Sequence, residues 1–369
     1  MIKTFKYRLV PTRKQSAALE QTLESCRNLY NCALEQRKMH RTGYYEQKRQ
    51  VTDVRAEFPE YKNIHVHVLQ RVVAKLDLAF QSFFRRINAG QTPGFPRFKG
   101  KDRFDSFAFN NTGFKLAGRY LQISKIGTVK LRLSRPLPEG STIKSLVVKR
   151  SGSNWYACLA VEFSPVHLPH SAAQVGIDVG VVQYATLSDG SEPIANPRFY
   201  QNSQAELRRS QRRVARRKKG SHCRRKAVTL LRKLHERIAN KRNDFLHKQT
   251  TALIREYGTI GVENLNIAGM VQGNCSKQIL DASWGTWLRM LVFKAEEAGR
   301  RIVAVDPKFT SQTCPCCGYK DAKNRLTQAD FKCLDCGFEA NADFVASVNI
   351  SARMEPLGVN VGRLSPCVA

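Results

Sequence analysis

The chain has 369 residues, of which 42% are apolar, so its length and composition are those of a globular protein with two or three domains. Lysine and arginine total 61 against 30 aspartate and glutamate, a surplus of 31 positive charges. An enzyme acting on small molecules rarely needs such a surplus, which favours a polyanionic partner over a ribosomal-type structural role or a charge that serves only solubility. The absence of an apolar segment suited to a signal peptide or a membrane helix predicts a cytoplasmic protein.

The N-terminal region is predicted to be one strand followed by helices. Residues 1–10 alternate as a short strand, which Pro11 ends, and Thr12 with Gln15 three residues later makes a capping box that opens a helix. A second amphipathic helix is predicted from about Val66 to Ile87. Its apolar stripe consists of Leu69, Val73, Leu76, Phe80, Phe83 and Phe84. We interpret these aromatic residues as core rather than as a platform for stacking bases.

From Thr92 the pattern changes to turns and alternating strands, beginning with TPGFPRFKG and ending near Phe163. This alternation predicts a small antiparallel β-barrel. Lys130 and Arg132 stand on the face opposite its apolar residues, where they meet either phosphate or solvent. A linker is predicted from Ser164 to Ala173.

The segment VGIDVGVVQYATLSDG predicts a β-hairpin whose apolar neighbours partly bury Asp178. Residues 208–248 then contain seventeen lysines and arginines but only two acids, with leucines and isoleucines at helical spacing. This predicts a helical hairpin with a basic outer face. Such a face is either a solvated surface or a nucleic-acid contact, and self-repulsion among the cations favours the contact.

The C-terminal third alternates strands and helices around a cysteine-rich segment. The strand TIGVEN ends in Glu263, a helix is predicted from about Ser283 to Ala298, and the strand RIVAVDP leads to the cysteines. NADFVASVNISARM is predicted to be a helix that starts near Asp343. The last residues, 355–369, are predicted to be a flexible tail.

Four of the eleven cysteines form two C-x-x-C pairs, Cys314 with Cys317 and Cys333 with Cys336, and fifteen residues separate the pairs. This spacing is typical of a zinc ribbon with four thiolates arranged as a tetrahedron. A thioredoxin-like redox pair fits less well, because that motif needs no second pair. Cys316 is left out of the site. Since four thiolates leave no open coordination position, we expect the zinc to be structural.

Three acids lie on separate predicted elements, as hydrolysis of a phosphodiester by two divalent metal ions requires: Asp178, Glu263 and Asp343. Hard oxygen ligands select Mg²⁺ or Mn²⁺, whereas soft thiolates select zinc. Taken singly, each acid is more often a helix cap or a surface residue, and Asp343 could cap its helix. Asp281, Asp306 and Asp330 are the next candidates.

These residues stand in motifs that resemble the TnpB family, the RNA-guided nucleases of bacterial insertion sequences related to type V CRISPR effectors. The motifs are GFPRFKG, GIDVG, KKGS with KLHERIANKRNDFLHK, GVENL, SWGTW with FKA, SQTCPCCG, and CLDCG followed by NADFVASVNI. They extend from about residue 92 to 350, and the likeness of the N-terminal helices is weaker.

The resemblance implies a multidomain α+β fold with a wedge β-barrel interrupted by a helical recognition insert, followed by an RNase H-like (RuvC) α/β nuclease domain with an inserted zinc ribbon. The implied domains are the first strand of the barrel (1–10), the helical recognition domain (11–91), the wedge barrel (92–165), the RuvC domain (170–310) with a basic hairpin (203–250), the zinc ribbon (311–340), the final RuvC helix (341–354) and the tail (355–369). The catalytic triad would be Asp178, Glu263 and Asp343.

The resemblance also implies partners and a location. A guide RNA from the end of the element and a double-stranded DNA target would be bound near the bacterial nucleoid, with Zn²⁺ as structural and Mg²⁺ or Mn²⁺ as catalytic cofactor. Base pairing would choose the target, while the protein holds the heteroduplex by shape and backbone charge. The implied nucleic-acid contacts are Gln70, Asn110 and Asn111 for the transposon-adjacent motif, and Arg212, Arg213, Arg216, Arg217, Lys218 and Lys219 on the basic hairpin.

The chain departs from the family pattern at two positions beside the last acid. The family often has aspartate two residues before it and asparagine two residues after it, where this chain has Asn341 and Val345. We expect cleavage activity to survive these changes. The alternatives are a nuclease-inactive RNA-guided repressor, which an intact triad argues against, and a conventional transposase that works without RNA.

Overall fold

The computed structural model describes residues 1–40 and 42–354, with the backbone alone at Asp102. The predicted tail therefore lies outside the described residues. The chain divides into two compact units, Met1–Ser164 and Pro165–Ala369. In neither unit does the described part contain a helix long and apolar enough to cross a membrane.

The first unit combines helices with one antiparallel sheet. Its helices are α1 (Arg13–Met39), α2 (Tyr44–Glu57), α3 (Pro59–Lys62) and α4 (Val66–Asn88). Its strands are β1 (Ile2–Val10), β2 (Ser106–Phe109), β3 (Phe114–Ala117), β4 (Tyr120–Ile123), β5 (Gly127–Arg132), β6 (Thr142–Ser151) and β7 (Asn154–Glu162). The capping box is confirmed, because the Thr12 side chain accepts from the Gln15 N–H and Gln15 reaches back to the Thr12 N–H. Neither α2 nor α3 was predicted.

The seven strands of this unit form an open sheet in the order β2-β6-β7-β1-β5-β4-β3. The N-terminal strand lies in the middle of the sheet, paired with β7 from Ile2↔Glu162 to Leu9↔Trp155 and with β5 at Arg8↔Arg132. No pairing joins the edge strands β2 and β3 in this described sheet. The prediction of a closed barrel is therefore wrong. The alternation correctly indicated strands, but period-2 alternation carries no information on closure.

The core of the first unit joins helix and sheet residues. Leu69, Val73 and Leu76 of α4 are buried as predicted. Of the three phenylalanines nearer the end of the helix, Phe80 is half-buried and packs against this core, Phe83 is half-buried, and Phe84 is 55% exposed. The prediction that they belong to the core therefore holds in part for Phe80 and is wrong for Phe84.

The second unit is built on a mixed five-stranded sheet in the order β10-β9-β8-β11-β12. Its strands are β8 (Gln174–Val179), β9 (Gln183–Leu187), β10 (Ile194–Ala195), β11 (Thr259–Glu263) and β12 (Arg301–Val305). The first three form antiparallel pairs, and β11 lies parallel to both β8 and β12. The predicted hairpin around Asp178 is thus the β8–β9 pair. A two-stranded sheet, β13 (Asp330–Lys332) with β14 (Glu339–Asn341), lies beyond β12 in the chain.

Six helices complete the described part of this unit: α5 (Phe199–Ala215), α6 (His222–Glu256), α7 (Ile267–Met270), α8 (Ser276–Ala282), α9 (Trp284–Ala298) and α10 (Ala342–Ala352). The basic hairpin is the pair α5 and α6, which pack on each other through Leu207, Leu234 and Ile238. Trp287 and Leu291 of α9 are fully buried against the sheet core. The predicted α9 and α10 are present.

Two glycines allow α10 to lie directly on the sheet. A Cβ added to Gly176 in β8 would overlap the Ser347 carbonyl oxygen and come within 2.5 Å of the Ser351 nitrogen, both in the α10 backbone. A Cβ added to Gly261 in β11 would come within 3.1 Å of Ile350 Cγ2 in α10. Because glycine has no Cβ, this close approach is possible, and it fixes the position of Asp343 at the start of α10.

Candidate metal centres and nucleic-acid interface

The three predicted acids come from β8, β11 and α10. In the parallel pair of β8 and β11, Ile177 lies opposite Val262, so Asp178 and Glu263 are the next residues of two neighbouring strands. Both lie towards the carboxyl ends of these strands, where ligand sites of open α/β sheets are commonly found. Asp343 lies in the first turn of α10, which packs on β8.

Asp178 is the carboxyl that is affected by the charges of both other acids. Burial raises the pKa of Asp178 well above its ordinary range, and the charges of Glu263 and Asp343 raise it further. Burial also raises the pKa of Glu263 and that of Asp343. Clustered carboxylates in a partly desolvated site repel one another, and a multivalent cation relieves that repulsion. The all-oxygen donor set fits a hard cation such as Mg²⁺ or Mn²⁺.

Two polar residues outside the triad hold the carboxylate of Glu263 in place. The Thr310 hydroxyl donates to Glu263 Oε1 at 2.7 Å. The Asn349 amide on α10 donates to the carbonyl oxygens of Thr310 and Thr313, at 2.7 Å in each case. The loop after β12 is therefore tied both to α10 and to the carboxylate. Neither Thr310 nor Asn349 was predicted to support the acids, since single Thr and Asn residues carry no local signature.

Arg325 is a third residue that the sequence did not indicate. Its guanidinium lies 3.8 Å from Asp343 Oδ1, and its charge lowers the pKa of both Asp178 and Asp343. The same side chain donates to the carbonyl oxygens of Thr327 and Gln328, which hold it toward the acids. It belongs to the segment between the two cysteine pairs, so that segment contributes a cation to the acidic cluster.

The two departures from the family pattern have clear structural roles. Asn341 is the N-cap of α10, and its side-chain oxygen accepts from the Asp343 and Phe344 N–H groups at 2.9 and 3.4 Å. Asparagine and aspartate cap helices about equally well, so the start of α10 is held without the acid. Val345 is fully buried beside the cysteine cluster.

The four predicted thiols converge as expected. The sulfur atoms of Cys314, Cys317, Cys333 and Cys336 all lie within 4.8 Å of one another. The separation is 3.6 Å between Cys314 and Cys336 and 3.5 Å between Cys317 and Cys333. A zinc tetrahedron with Zn–S bonds of about 2.3 Å has edges of about 3.8 Å, so the cluster fits a zinc site.

Each cysteine pair lies in the same kind of turn. In the first, the Gly318 N–H donates to the Cys314 carbonyl at 3.0 Å, and in the second the Gly337 N–H donates to the Cys333 carbonyl at 3.1 Å. Both glycines have a positive φ, 76° and 73°, which residues with a side chain rarely adopt. The buried Asn324 links the two turns, because its amide donates to the Tyr319 carbonyl and its oxygen accepts from the Leu334 N–H. Cys316 is exposed and lies outside the cluster.

The three predicted motif-reading residues all belong to the first unit. Gln70 is on α4, and Asn110 and Asn111 are in the turn that follows β2. That turn is joined to the start of α4, because the Thr112 hydroxyl and His67 Nδ1 are hydrogen-bonded at 2.8 Å.

On the basic hairpin, five arginines line one shallow cavity: Arg209, Arg212, Arg213, Arg216 and Arg217. Lys218 and Lys219 follow in the exposed turn between the helices. Asp281, a further candidate from the sequence, makes its contacts with the hairpin. Its carboxylate accepts from the Tyr200 N–H at the start of α5 and from Arg242 at 2.7 Å, so it anchors the hairpin.

Three family profiles match successive parts of the chain. Residues 1–48 match a helix-turn-helix domain of the OrfB_IS605 group, residues 158–274 match OrfB_IS605, described as "Probable transposase", and residues 284–350 match the Cas12f1-like TNB domain. In the structure the first of these segments comprises β1, α1 and the beginning of α2.

Two relatives are similar over almost the whole chain. A protein of Streptomyces pristinaespiralis named "Putative RNA-guided DNA endonuclease" is 33% identical over 366 residues, which is 95% of this chain and 89% of the relative. The Escherichia coli K12 protein "Putative RNA-guided DNA endonuclease InsQ" is 32% identical over 382 residues, with 95% and 92% coverage. Among solved structures, the protein of a Cas12f1-sgRNA-target DNA complex superimposes with a TM-score of 0.57 at 14% identity, covering 95% of this chain and 98% of that one.

The fold is thus a multidomain mixed α/β architecture shared with Cas12f1. The chain belongs to the TnpB family of transposon-encoded proteins.

Proposed function

We propose that this chain is an RNA-guided DNA endonuclease that cleaves complementary double-stranded DNA by metal-dependent hydrolysis. The observation that carries the proposal is the placement of Asp178, Glu263 and Asp343 on two adjacent strands and the helix that packs on them. Burial, and then the charges of the other two acids, raise the pKa of Asp178. Perturbed acids that converge from separate elements are typical of catalytic sites. The relatives named as RNA-guided DNA endonucleases support the choice of substrate.

In the proposed mechanism the three carboxylates hold divalent cations, Mg²⁺ or Mn²⁺, which would activate water and neutralise charge on the leaving oxygen. Thr310 fixes the carboxylate of Glu263 by its 2.7 Å hydrogen bond. Asn341 caps α10 and so orients Asp343. Arg325 partly balances the acidic charge before cations bind.

We further propose the finer division of the chain implied by its family. The first unit would contain the recognition helices and the wedge strands, and Gln70, Asn110 and Asn111 would read the motif beside the target. The second would contain an RNase H-like (RuvC) domain (170–310 and 341–354) and the structural zinc ribbon (311–340). The mixed sheet order supports the RuvC assignment. The arginines that line the cavity on α5 would bind phosphates, at the nucleoid where the target lies.

The proposal is tested by purifying the chain from cells that also express the DNA flanking its gene, and by sequencing the RNA that copurifies. Cleavage of a library of duplexes that match this RNA is then measured with and without added Mg²⁺. We expect a discrete RNA and Mg²⁺-dependent cleavage. Asp178→Asn should lose at least about 10³-fold in cleavage rate while it retains the RNA, because it removes a metal ligand without changing the size of the side chain.

A suitable control variant is Glu192→Gln, which removes an exposed acid from the loop after β9. It should cleave at the parental rate. If Asp178→Asn cleaves as fast as the parent, the catalytic assignment is wrong. RNA-guided binding without cleavage in the parent would indicate the repressor, and strand joining without a discrete RNA would indicate the transposase.

A further inference from the structure

Five phenylalanines lie together where α4 ends and the GFPRFK segment follows, and we call Phe80, Phe83, Phe84, Phe95 and Phe98 the aromatic platform. The Phe95 ring meets those of Phe80 and Phe83 edge to face, with centroids 5.5 and 5.3 Å apart, and Phe80 and Phe84 are stacked at 6.4 Å. Phe98 is joined to Phe95 through Lys38, which lies near both rings. Phe84, Phe95 and Phe98 are 55%, 44% and 46% exposed. A cluster of rings with this much exposed surface marks a binding site more often than a core.

The platform has a cationic border. The Lys38 ammonium lies 4.4 Å from the centroid of the Phe98 ring and 5.8 Å from that of Phe95. The Arg37 guanidinium lies 5.1 Å from the Phe80 ring and is paired with Asp77 at 3.0 Å. From Phe84 to Lys101 the sequence contains five lysines and arginines and no acid: Arg85, Arg86, Arg97, Lys99 and Lys101.

We propose that the aromatic platform binds unpaired bases of the guide RNA by stacking, with Lys38 and the neighbouring arginines on the flanking phosphates. This inference rests on the proposed function, which supplies the RNA. Aromatic faces accept any base, because every base has a π-face, and cations beside them neutralise the backbone. Bases inside a duplex have their faces covered by neighbouring pairs, so unpaired nucleotides fit the platform.

A second copy of the chain fits this surface less well. Both copies would bring the same lysines and arginines to the interface, and like charges placed together oppose association. The net charge of +31 adds to that repulsion. RNA supplies the opposite charge together with the apolar faces.

The test uses the full chain and an in-vitro transcript of the RNA that copurifies with it. Phe84→Leu keeps the apolar volume but removes the π-face, whereas Phe84→Trp keeps a larger one. We expect Phe84→Leu to weaken RNA binding by about fivefold or more, and Phe84→Trp to bind at least as tightly as the parent. Lys38→Ala should lower the slope of log Kd against log salt concentration by about 0.7.

The matched control is Tyr45→Leu, which removes an aromatic ring that is 76% exposed on α2, outside the platform, and should leave RNA binding unchanged. Thermal unfolding midpoints equal to the parental value establish that each variant is folded. If Phe84→Leu binds the RNA with the same affinity as the parent, the inference is overturned. The inference is also overturned if the parent is a dimer without RNA and Phe84→Leu is a monomer, because the platform would then bind a second copy of the chain. If the parent binds no discrete RNA at all, the proposed function fails as well.

Discussion

Gly176→Ala tests whether the close packing of α10 on the sheet controls the acidic cluster. The added Cβ would lie 2.5 Å from the Ser351 nitrogen and 3.0 Å from the Ser351 Cα, and closer still to the Ser347 carbonyl oxygen. These are backbone atoms in a helix, so no side-chain rotation relieves the overlap. Ordinary contact requires α10 to move by about 1 Å.

Asp343 moves with α10, whereas Asp178 and Glu263 remain on their strands. A displacement of about 1 Å in a catalytic constellation lowers the rate by about 10²-fold, and overpacking costs about 1–3 kcal/mol of stability. We therefore expect Gly176→Ala to cleave target DNA about 100-fold more slowly, with unchanged RNA affinity. The assay is single-turnover cleavage with saturating Mg²⁺, together with a thermal unfolding curve.

Gly285→Ala is the matched control, because its Cβ would meet the nearest atom, Ile267 Cδ1, at an ordinary 3.7 Å. It should cleave at the parental rate. If folded Gly176→Ala also cleaves at the parental rate, α10 tolerates the displacement and the packing argument is wrong.

Three further variants test the charges and the thiolates. Asp178→Asn should raise the melting temperature of the protein without added divalent ions by about 2–4 °C at pH 7.5, because it removes a buried, repelled charge. Since the pKa of Asp178 is raised on folding, its carboxyl favours the fold at acid pH and loses that contribution as pH rises, so the gain should shrink towards pH 4. Cys333→Ser should lower the zinc content and reduce cleavage more than RNA binding, while the exposed Cys316→Ser changes neither. Asp281→Ala should cost about 3 kcal/mol of unfolding free energy, because it leaves Arg242 unpaired and the start of α5 uncapped.

For each of these variants, one outcome would contradict the prediction. An Asp178→Asn melting temperature at or below the parental value would mean that the acids do not repel one another in the free protein. Equal loss of cleavage and RNA binding in Cys333→Ser would show that the cysteine cluster supports the whole chain and not the nuclease site. If calorimetry shows that Asp281→Ala is as stable as the parent, Asp281 does not anchor the hairpin.

Local sequence patterns were sufficient for several features. The Thr12 capping box, the hairpin of β8 and β9 and the helical spacing of apolar residues in α6 depend on neighbours in the chain. The structure contains all three. The cluster of four thiols was also predictable, because a C-x-x-C pair places two thiols in one turn wherever that turn lies. Residue type and spacing alone thus indicated this candidate zinc site.

The tertiary structure decided which residues support those centres and which surfaces stay open. Parallel pairing places Asp178 beside Glu263 across more than eighty residues of chain, and no periodicity encodes that pairing. Thr310 and Arg325 approach the acids only because long loops return to them. The wedge strands alternate as a barrel would, yet long-range pairing leaves their sheet open. Phe84 follows the same helical stripe as the buried Leu76 and yet is 55% exposed, because exposure is set by what packs against a stripe and not by the stripe itself.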